Sequence, residues 1–237
     1  MSGKILEGRT ALITGASRGI GAAIAGRFAA EGAHLILTAR TVGGLEEVDD
    51  AIRGAGGAKA TLVPADLLDM DQIDRIAAAV YERFGKLDVL VGNAGTLGIL
   101  SPVGHVDPKI WDETMALNVT VNYRLIRAFD SLLRLSDAGR AIFVSSGAAR
   151  SAKPYWGPYS ASKAALESLV RTYAGEVSKT NIRVNLVNPG GVRTAMRAQA
   201  FPGEDPMTLV TPQDVTDVFV QLAALDCTSH GATLNAQ

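Results

Sequence analysis

Cysteine is nearly absent. Cys227 is the only one in 237 residues, which excludes an internal disulfide and a cysteine-built metal site and agrees with a reducing compartment. Excess charge is missing too: 23 Lys and Arg face 24 Asp and Glu with no basic stripe, so the footprint of a nucleic-acid or anionic-membrane binder is lacking. No apolar run approaches bilayer-spanning length, and the stretch Met1 to Glu7 reaches charge too early for the apolar region of an export signal. His34, His105 and His230 stand in no Ser/His/Asp or metal-ligand pattern, so no metal is expected. Repeats, low-complexity tracts and linkers are missing as well. These absences leave a cytoplasmic protein, one domain over residues 1–237, whose partner is a small molecule.

What is present is enough apolar residue, 47%, for one sizeable core. Short β-rich runs read as strands: Thr10–Ile13, His34–Thr38, Thr61–Val63, Val89–Val91, Ala141–Val144 and Arg183–Val187. Their near-continuous apolar character predicts burial on both faces, as in a parallel sheet covered by helices. Helical periodicity fills the intervals at Ile20–Glu31, Leu45–Gly54, Met70–Phe84, Ile110–Leu135 and Tyr159–Lys179. The alternation predicts an α/β fold with a Rossmann-like, doubly wound parallel sheet. Thr211-Pro212-Gln213-Asp214 carries a hydroxyl cap, a first-turn proline and an acid, which predicts a helix start. Arg193 to Val210 has no clean period and reads as a mobile loop over the site.

Thr14-Gly15-Ala16-Ser17-Arg18-Gly19-Ile20-Gly21 follows an apolar strand and opens a helix, the setting in which a glycine loop binds a dinucleotide. Gly15 permits the tight turn, Gly19 lets the backbone approach a pyrophosphate, and Gly21 allows helix and strand to pack closely. Tyr159 and Lys163 lie four residues apart, hence on one helix face. An ammonium near a phenol stabilises the phenolate, so Tyr159 becomes a candidate proton donor and acceptor.

The spacing of the glycine loop resembles the Thr-Gly-x-x-x-Gly-x-Gly of the short-chain dehydrogenase/reductase family, and the resemblance runs from about Gly8 onward. Ser146, at the end of a predicted strand and thirteen residues before Tyr159, matches the family's serine; its neighbour Ser145 is the second candidate. The resemblance implies that Ser146 polarises the substrate oxygen, that Tyr159 is the acid/base, and that Lys163 tunes Tyr159 and holds the nicotinamide ribose. It also implies that Asn118 steadies a water linked to Lys163. Further cofactor contacts implied in this way are Asp66 and Leu67 near the adenine, the segment Asn93-Ala94-Gly95, and Pro189, Gly190, Val192 and Thr194 around the nicotinamide, beside the loop residues Gly15, Ser17, Arg18, Gly19, Ile20 and Gly21. Gly92 departs from the family, which has asparagine there, and this places the stability of the local loop in question.

The second predicted strand ends in Leu37-Thr38-Ala39-Arg40, without the acid that holds a ribose 2′-hydroxyl in NAD enzymes. Arg40 and Arg18 suit a 2′-phosphate instead, so NADP is expected over NAD. Leu97, Tyr155, Trp156, Met196 and Phe201 fall on segments that usually line the pocket and imply a small, largely apolar carbonyl or alcohol substrate. Arg150, Arg193 and Arg197 are nearby cations, read as surface or packing residues. The stretch Thr228 to Gln237 lacks the family's usual glycine pair, although Gly231–Asn235 can supply an edge strand. A homodimer or homotetramer is implied, with Ile110–Leu135 and Tyr159–Lys179 as the dimer face. The alternative function is a dinucleotide-binding sensor or scaffold that turns nothing over.

Overall fold

Runs of Val, Ile and Leu with no polar alternation form strands whose two faces are both covered. In the computed structural model, which describes residues 3–237, these are β1 (Thr10–Thr14), β2 (His34–Ala39), β3 (Thr61–Pro64), β4 (Val89–Gly92), β5 (Arg140–Val144), β6 (Arg183–Asn188) and β7 (Thr233–Asn235). Met1 and Ser2, at the head of the Met1–Glu7 stretch, lie outside the described residues. All neighbours pair in parallel, in the order β3-β2-β1-β4-β5-β6-β7. The doubly wound sheet is therefore as predicted, and β7 is the edge strand foreseen in Gly231–Asn235. Because the winding reverses between β1 and β4, a crevice opens beyond the carboxyl ends of those two strands.

The helices are α1 (Gly19–Ala30), α2 (Val42–Gly54), α3 (Met70–Phe84), α4 (Pro108–Met115), α5 (Val121–Arg134), α6 (Ala148–Ser151), α7 (Gly157–Glu176), α8 (Ala195–Ala200) and α9 (Asp217–Ala223). Strand residues alternate between two apolar layers. Leu12, Leu90 and Phe143 join Phe129 of α5 and Leu166 of α7 on one face, while Ile13, Val91 and Ile142 join Ile24 and Phe28 of α1 and Phe219 of α9 on the other. The sheet is thus sealed from water on both sides.

Three predicted elements differ. The single helix expected over Ile110–Leu135 is α4 and α5 joined by one π turn, Ala116–Thr120, which carries Asn118. Such turns hold one residue more than a regular helix can accommodate and recur at functional sites. The helix expected at Thr211 begins later: the Asp214 carboxylate accepts from both the N–H and the hydroxyl of Thr211, each at 2.7 Å, which closes a tight 3₁₀ turn over Gln213–Val215 before α9. Arg193–Val210 is built rather than irregular. It contains α8, capped by the Thr194 hydroxyl, and it is closed at its base by the Arg193 N–H donating to the Val210 carbonyl at 2.9 Å. Among the described residues no helix is long and apolar enough to cross a membrane.

Candidate active site

Thr14 at the end of β1 ties the glycine loop to β4. Its hydroxyl donates to the Val91 carbonyl at 3.2 Å and accepts from the N–H groups of Asn93 (2.9 Å) and Ala94 (3.0 Å). The Asn93 side-chain amide returns the contact, donating to the carbonyls of Thr14 (2.8 Å) and Gly15 (3.2 Å). Gly15 (φ +63°) and Gly19 (φ +58°) are both left-handed, a conformation that glycine adopts at little cost. A Cβ on Gly21 would collide with the Gly15 carbonyl, so this glycine is required for packing. α1 starts at Gly19 with no side-chain cap on its first turn, leaving its amino end suited to an anion. Ser17 and Ile20 are half-buried in this loop, whereas Arg18 and, at the end of β2, Arg40 are exposed. Neither arginine is ion-paired among the described residues.

The second group of residues meets where β4 and β5 end. Tyr159 and Lys163 are buried on the same face of α7, 8% and 4% exposed, with Lys163 Nζ 5.8 Å from the phenol ring centre. Nζ donates to the carbonyl of Val144, the last residue of β5, at 2.8 Å. Burial alone brings the Lys163 ammonium down to about 8. Burial also drives the Tyr159 phenol upward, while the neighbouring Ser146 hydroxyl pulls it the other way. The expected lowering of the phenol by the lysine is therefore not what dominates in this structure. With Nζ committed to a carbonyl, desolvation of the hydroxyl outweighs it, and Tyr159 is held as a protonated donor.

Asn118 joins this group through its side chain. Oδ1 accepts from the Thr96 N–H at 2.8 Å, and Nδ2 donates to the Thr96 carbonyl and to Ser162 Oγ, each at 2.9 Å. Ser162 in turn donates to the Tyr159 carbonyl at 2.8 Å, which links the π turn to the first turns of α7. A Cβ on Gly95 would lie 3.1 Å from Asn118 Oδ1 and 3.7 Å from Lys163 Nζ, so the Asn93–Gly95 segment runs directly over these groups.

The third group follows β6. Pro189 and buried Val192 lead to Thr194, which caps α8. The position of a Cβ on Gly19 is only 3.6 Å from the Thr194 methyl, so the glycine loop and this segment face one another across the crevice. Of the residues expected to line the pocket, Leu97 is buried and Trp156 stands between Tyr159 and Phe201, with ring centres 5.9 and 5.6 Å away. Tyr155 is exposed, in a left-handed conformation at φ +73°. Asp66 is exposed, its carboxylate accepting from the Leu68 N–H, and Leu67 belongs to the core. The three nearby arginines are engaged internally. Arg150 binds Glu167, Arg193 donates to the Leu209 carbonyl, and Arg197 pairs with Glu204 while lying 3.8 Å over the Phe201 ring.

Two residues here escaped the sequence reading. Asn122 donates to the Asn118 carbonyl at 2.9 Å and fills the space beside Gly92. A Cβ on residue 92 would fall 2.5 Å from both Asn122 Oδ1 and the Phe143 ring, so the departure at Gly92 is matched by an amide arriving from α5. Glu167, one turn beyond Lys163 and 4% exposed, accepts from Ser145 Oγ at 2.8 Å and from Arg150 and Arg171. Ser145 is thereby occupied, which leaves Ser146 as the serine beside Tyr159. The Lys-x-x-x-Glu spacing was visible in the sequence; its serine partner was not.

Comparison with known proteins agrees with this architecture. Residues 9–205 match the family model described as short chain dehydrogenase. The uncharacterized oxidoreductase YciK of Escherichia coli K12 is 38% identical over 236 residues, covering 98% of this chain and 93% of that protein. Among solved structures, a short chain dehydrogenase from Salmonella enterica superposes with a TM-score of 0.96 at 37% identity, covering 100% of this chain and 99% of that one. One from E. coli CFT073, solved in complex with NADPH, gives 0.95 at 37% identity and covers 100% of both chains. With the family model spanning most of its length and a relative of this identity over nearly all of it, the chain belongs to the short-chain dehydrogenase/reductase family of oxidoreductases.

Proposed function

We propose that this protein is an NADPH-dependent reductase that converts the carbonyl group of a small, largely apolar substrate to an alcohol, with Tyr159 as the proton donor. The observation that carries the reading is the buried Tyr159 phenol, beside Ser146 and seated one helical turn from Lys163. The cradle fits a dinucleotide: left-handed Gly15 and Gly19 and the uncapped start of α1 suit the pyrophosphate, with Ser17 and Ile20 in the same turn. Asp66, Leu67 and the segment Asn93-Ala94-Gly95 would flank the adenosine half, while Pro189, Gly190, Val192 and Thr194 would hold the carboxamide. Arg18, exposed in the glycine loop, and Arg40, exposed at the end of β2, would pair with a 2′-phosphate. The NADPH bound to the E. coli CFT073 relative supports that choice.

When bound, the nicotinamide would supply the hydride. The protein's own part is orientation and proton delivery. Ser146 Oγ, next to the Tyr159 phenol, would hold the substrate oxygen beside it. Because burial raises the phenol, Tyr159 stays protonated at neutral pH and can give its proton to the developing alkoxide. Lys163, charged below about pH 8, would bind the ribose and steady the proton relay, with Asn118 holding the π turn against α7. Trp156 and Phe201 would form an aromatic wall against the substrate, and the protein would act as a homodimer or homotetramer.

The test has two parts. Fluorescence titration should show NADPH binding at least about tenfold more tightly than NADH, the worth of one or two charge-assisted contacts; equal affinities would overturn the cofactor choice. A screen of NADPH oxidation over ketones, quinones, acyl thioesters and sugars should find a substrate, and Tyr159→Phe should lower its turnover by roughly 10²–10⁴-fold. Binding without turnover of any carbonyl would favour a dinucleotide-binding sensor or scaffold instead.

A further inference from the structure

The loop that follows β6 is secured from outside by the residues that follow β7. Gln237 Nε2 donates to the carbonyls of Pro189 (2.6 Å) and Gly191 (3.3 Å), one on each side of Gly190. Gly190 is left-handed at φ +73°, and a Cβ there would come within 2.6 Å of the same Nε2. The loop glycine and the glutamine therefore fit one another. The contact continues inward through Asn188, the last residue of β6. Its carbonyl accepts from the Ala236 N–H at 3.0 Å, and its Nδ2 donates to Asn235 Oδ1 at 3.0 Å. Its Oδ1 accepts from the N–H of Gly147 (3.0 Å), next to Ser146, and from that of Gly190 (3.3 Å). One asparagine thus touches the segment after the serine, the loop after β6 and the end of β7.

We propose that Gln237, acting with Asn188, is a positioning residue: it fixes the two carbonyls of the Pro189–Gly191 loop so that Val192 and Thr194 present their polar groups to the nicotinamide half of the cofactor in register with Ser146. The proposal rests on the NADPH reading above. Loops draw little stability from their own backbone, so a side chain that holds the two carbonyls flanking Gly190 narrows what the loop can adopt. Gln237 is itself exposed, and surface residues of this kind contribute little to global stability. Its loss should therefore be felt in the loop and hardly in the fold.

The experiment compares two ligands on the full chain. NADPH would reach both the glycine loop and the Pro189–Thr194 segment, whereas adenosine 2′,5′-bisphosphate would reach only the adenosine side. Gln237→Glu keeps the size but offers oxygens to carbonyls, and Gln237→Ala removes the amide without adding charge. Each should weaken NADPH roughly tenfold, as expected for one or two lost hydrogen bonds, while affinity for the bisphosphate stays within about twofold and the melting temperature within about 2 °C. Unchanged NADPH affinity in both variants overturns the inference alone. Equal weakening of both ligands also overturns it, since the effect would then be general. If the unaltered protein binds no NADPH, the functional reading falls and the inference with it.

Discussion

Arg9 and Lys163 are both buried cations, one beneath the start of β1 and one against the end of β5, and their surroundings prepare them for different work. At the edge where the strands begin, Arg9 donates to the carbonyls of Asp88 and Ala138, while Asp88 accepts from the Thr10 N–H, the Ser136 hydroxyl and Lys86. Arg140 nearby donates to the carbonyls of Gly139, Ala224 and Leu225. Burial lowers Arg9 to about 10, with Asp88 opposing that fall, and a guanidinium that starts so high stays charged at neutral pH. An ammonium starts lower. The same desolvation brings Lys163 to about 8, within reach of physiological titration, and one carbonyl is its partner. Arginine at one edge is a fixed strut; lysine at the other is a group whose charge can change.

The largest effect should come from breaking the chemical edge. Lys163→Met should reduce turnover by at least about a hundredfold in steady-state assays, yet raise stability to denaturant by about 1–3 kcal/mol, since it removes a desolvated charge from a buried site. The pH dependence sharpens this. The folded value of about 8 lies below the ordinary 10.5, so the folded state binds fewer protons between the two. Unfolding free energy should rise as pH increases through that window, and that component of the rise should vanish in Lys163→Met; an unaltered profile would contradict the assignment.

Breaking the opposite edge should do the reverse. Asp88→Ala leaves the Thr10 N–H and the Ser136 hydroxyl without their acceptor and removes the charge that opposes buried Arg9, and a loss of about 3–5 kcal/mol is expected in denaturant titrations, with the NADPH affinity of the folded fraction unaltered. Burial pushes the Asp88 carboxyl up, but Ser136, Thr10 and Lys86 more than offset this and leave it below its ordinary value. Its stabilising contribution should be complete above the usual carboxylate range and disappear as pH falls through the depressed value. The smallest effect belongs between the two edges. Gly92→Ala should cost about 1–3 kcal/mol, read from the melting temperature, by crowding Asn122 and Phe143. Asn122→Ser should restore part of that loss.

What could be read from the sequence was local or periodic. Strands such as Leu90-Val91 announce themselves by lacking polar alternation, the glycine loop by its position between a strand and a helix, and Tyr159 with Lys163 by helical spacing. Features that depend on side chains meeting across the chain were not legible. Asn122 and Gly92 are thirty residues apart, and nothing nearby in sequence shows that one fills the space the other leaves. Arg197 and Glu204 order a segment that, by composition, resembles a mobile loop. The segment from Thr211 has the cap, the proline and the acid of a helix start, but the acid bonds backward to Thr211 and tightens the turn instead of starting α9.

The π turn at Ala116–Thr120 has a consequence for α4 and α5 together. α4 lies against α7, whereas α5 lies against α3 and β4, so the two halves of one continuous rod need their apolar stripes aimed differently. Each residue advances a helix by about 100°, and one additional residue in a single turn resets the phase by that amount. The turn therefore works as a fixed angular offset, which lets α5 lay Leu125, Phe129 and Leu132 on the sheet while α4 keeps its own bearing.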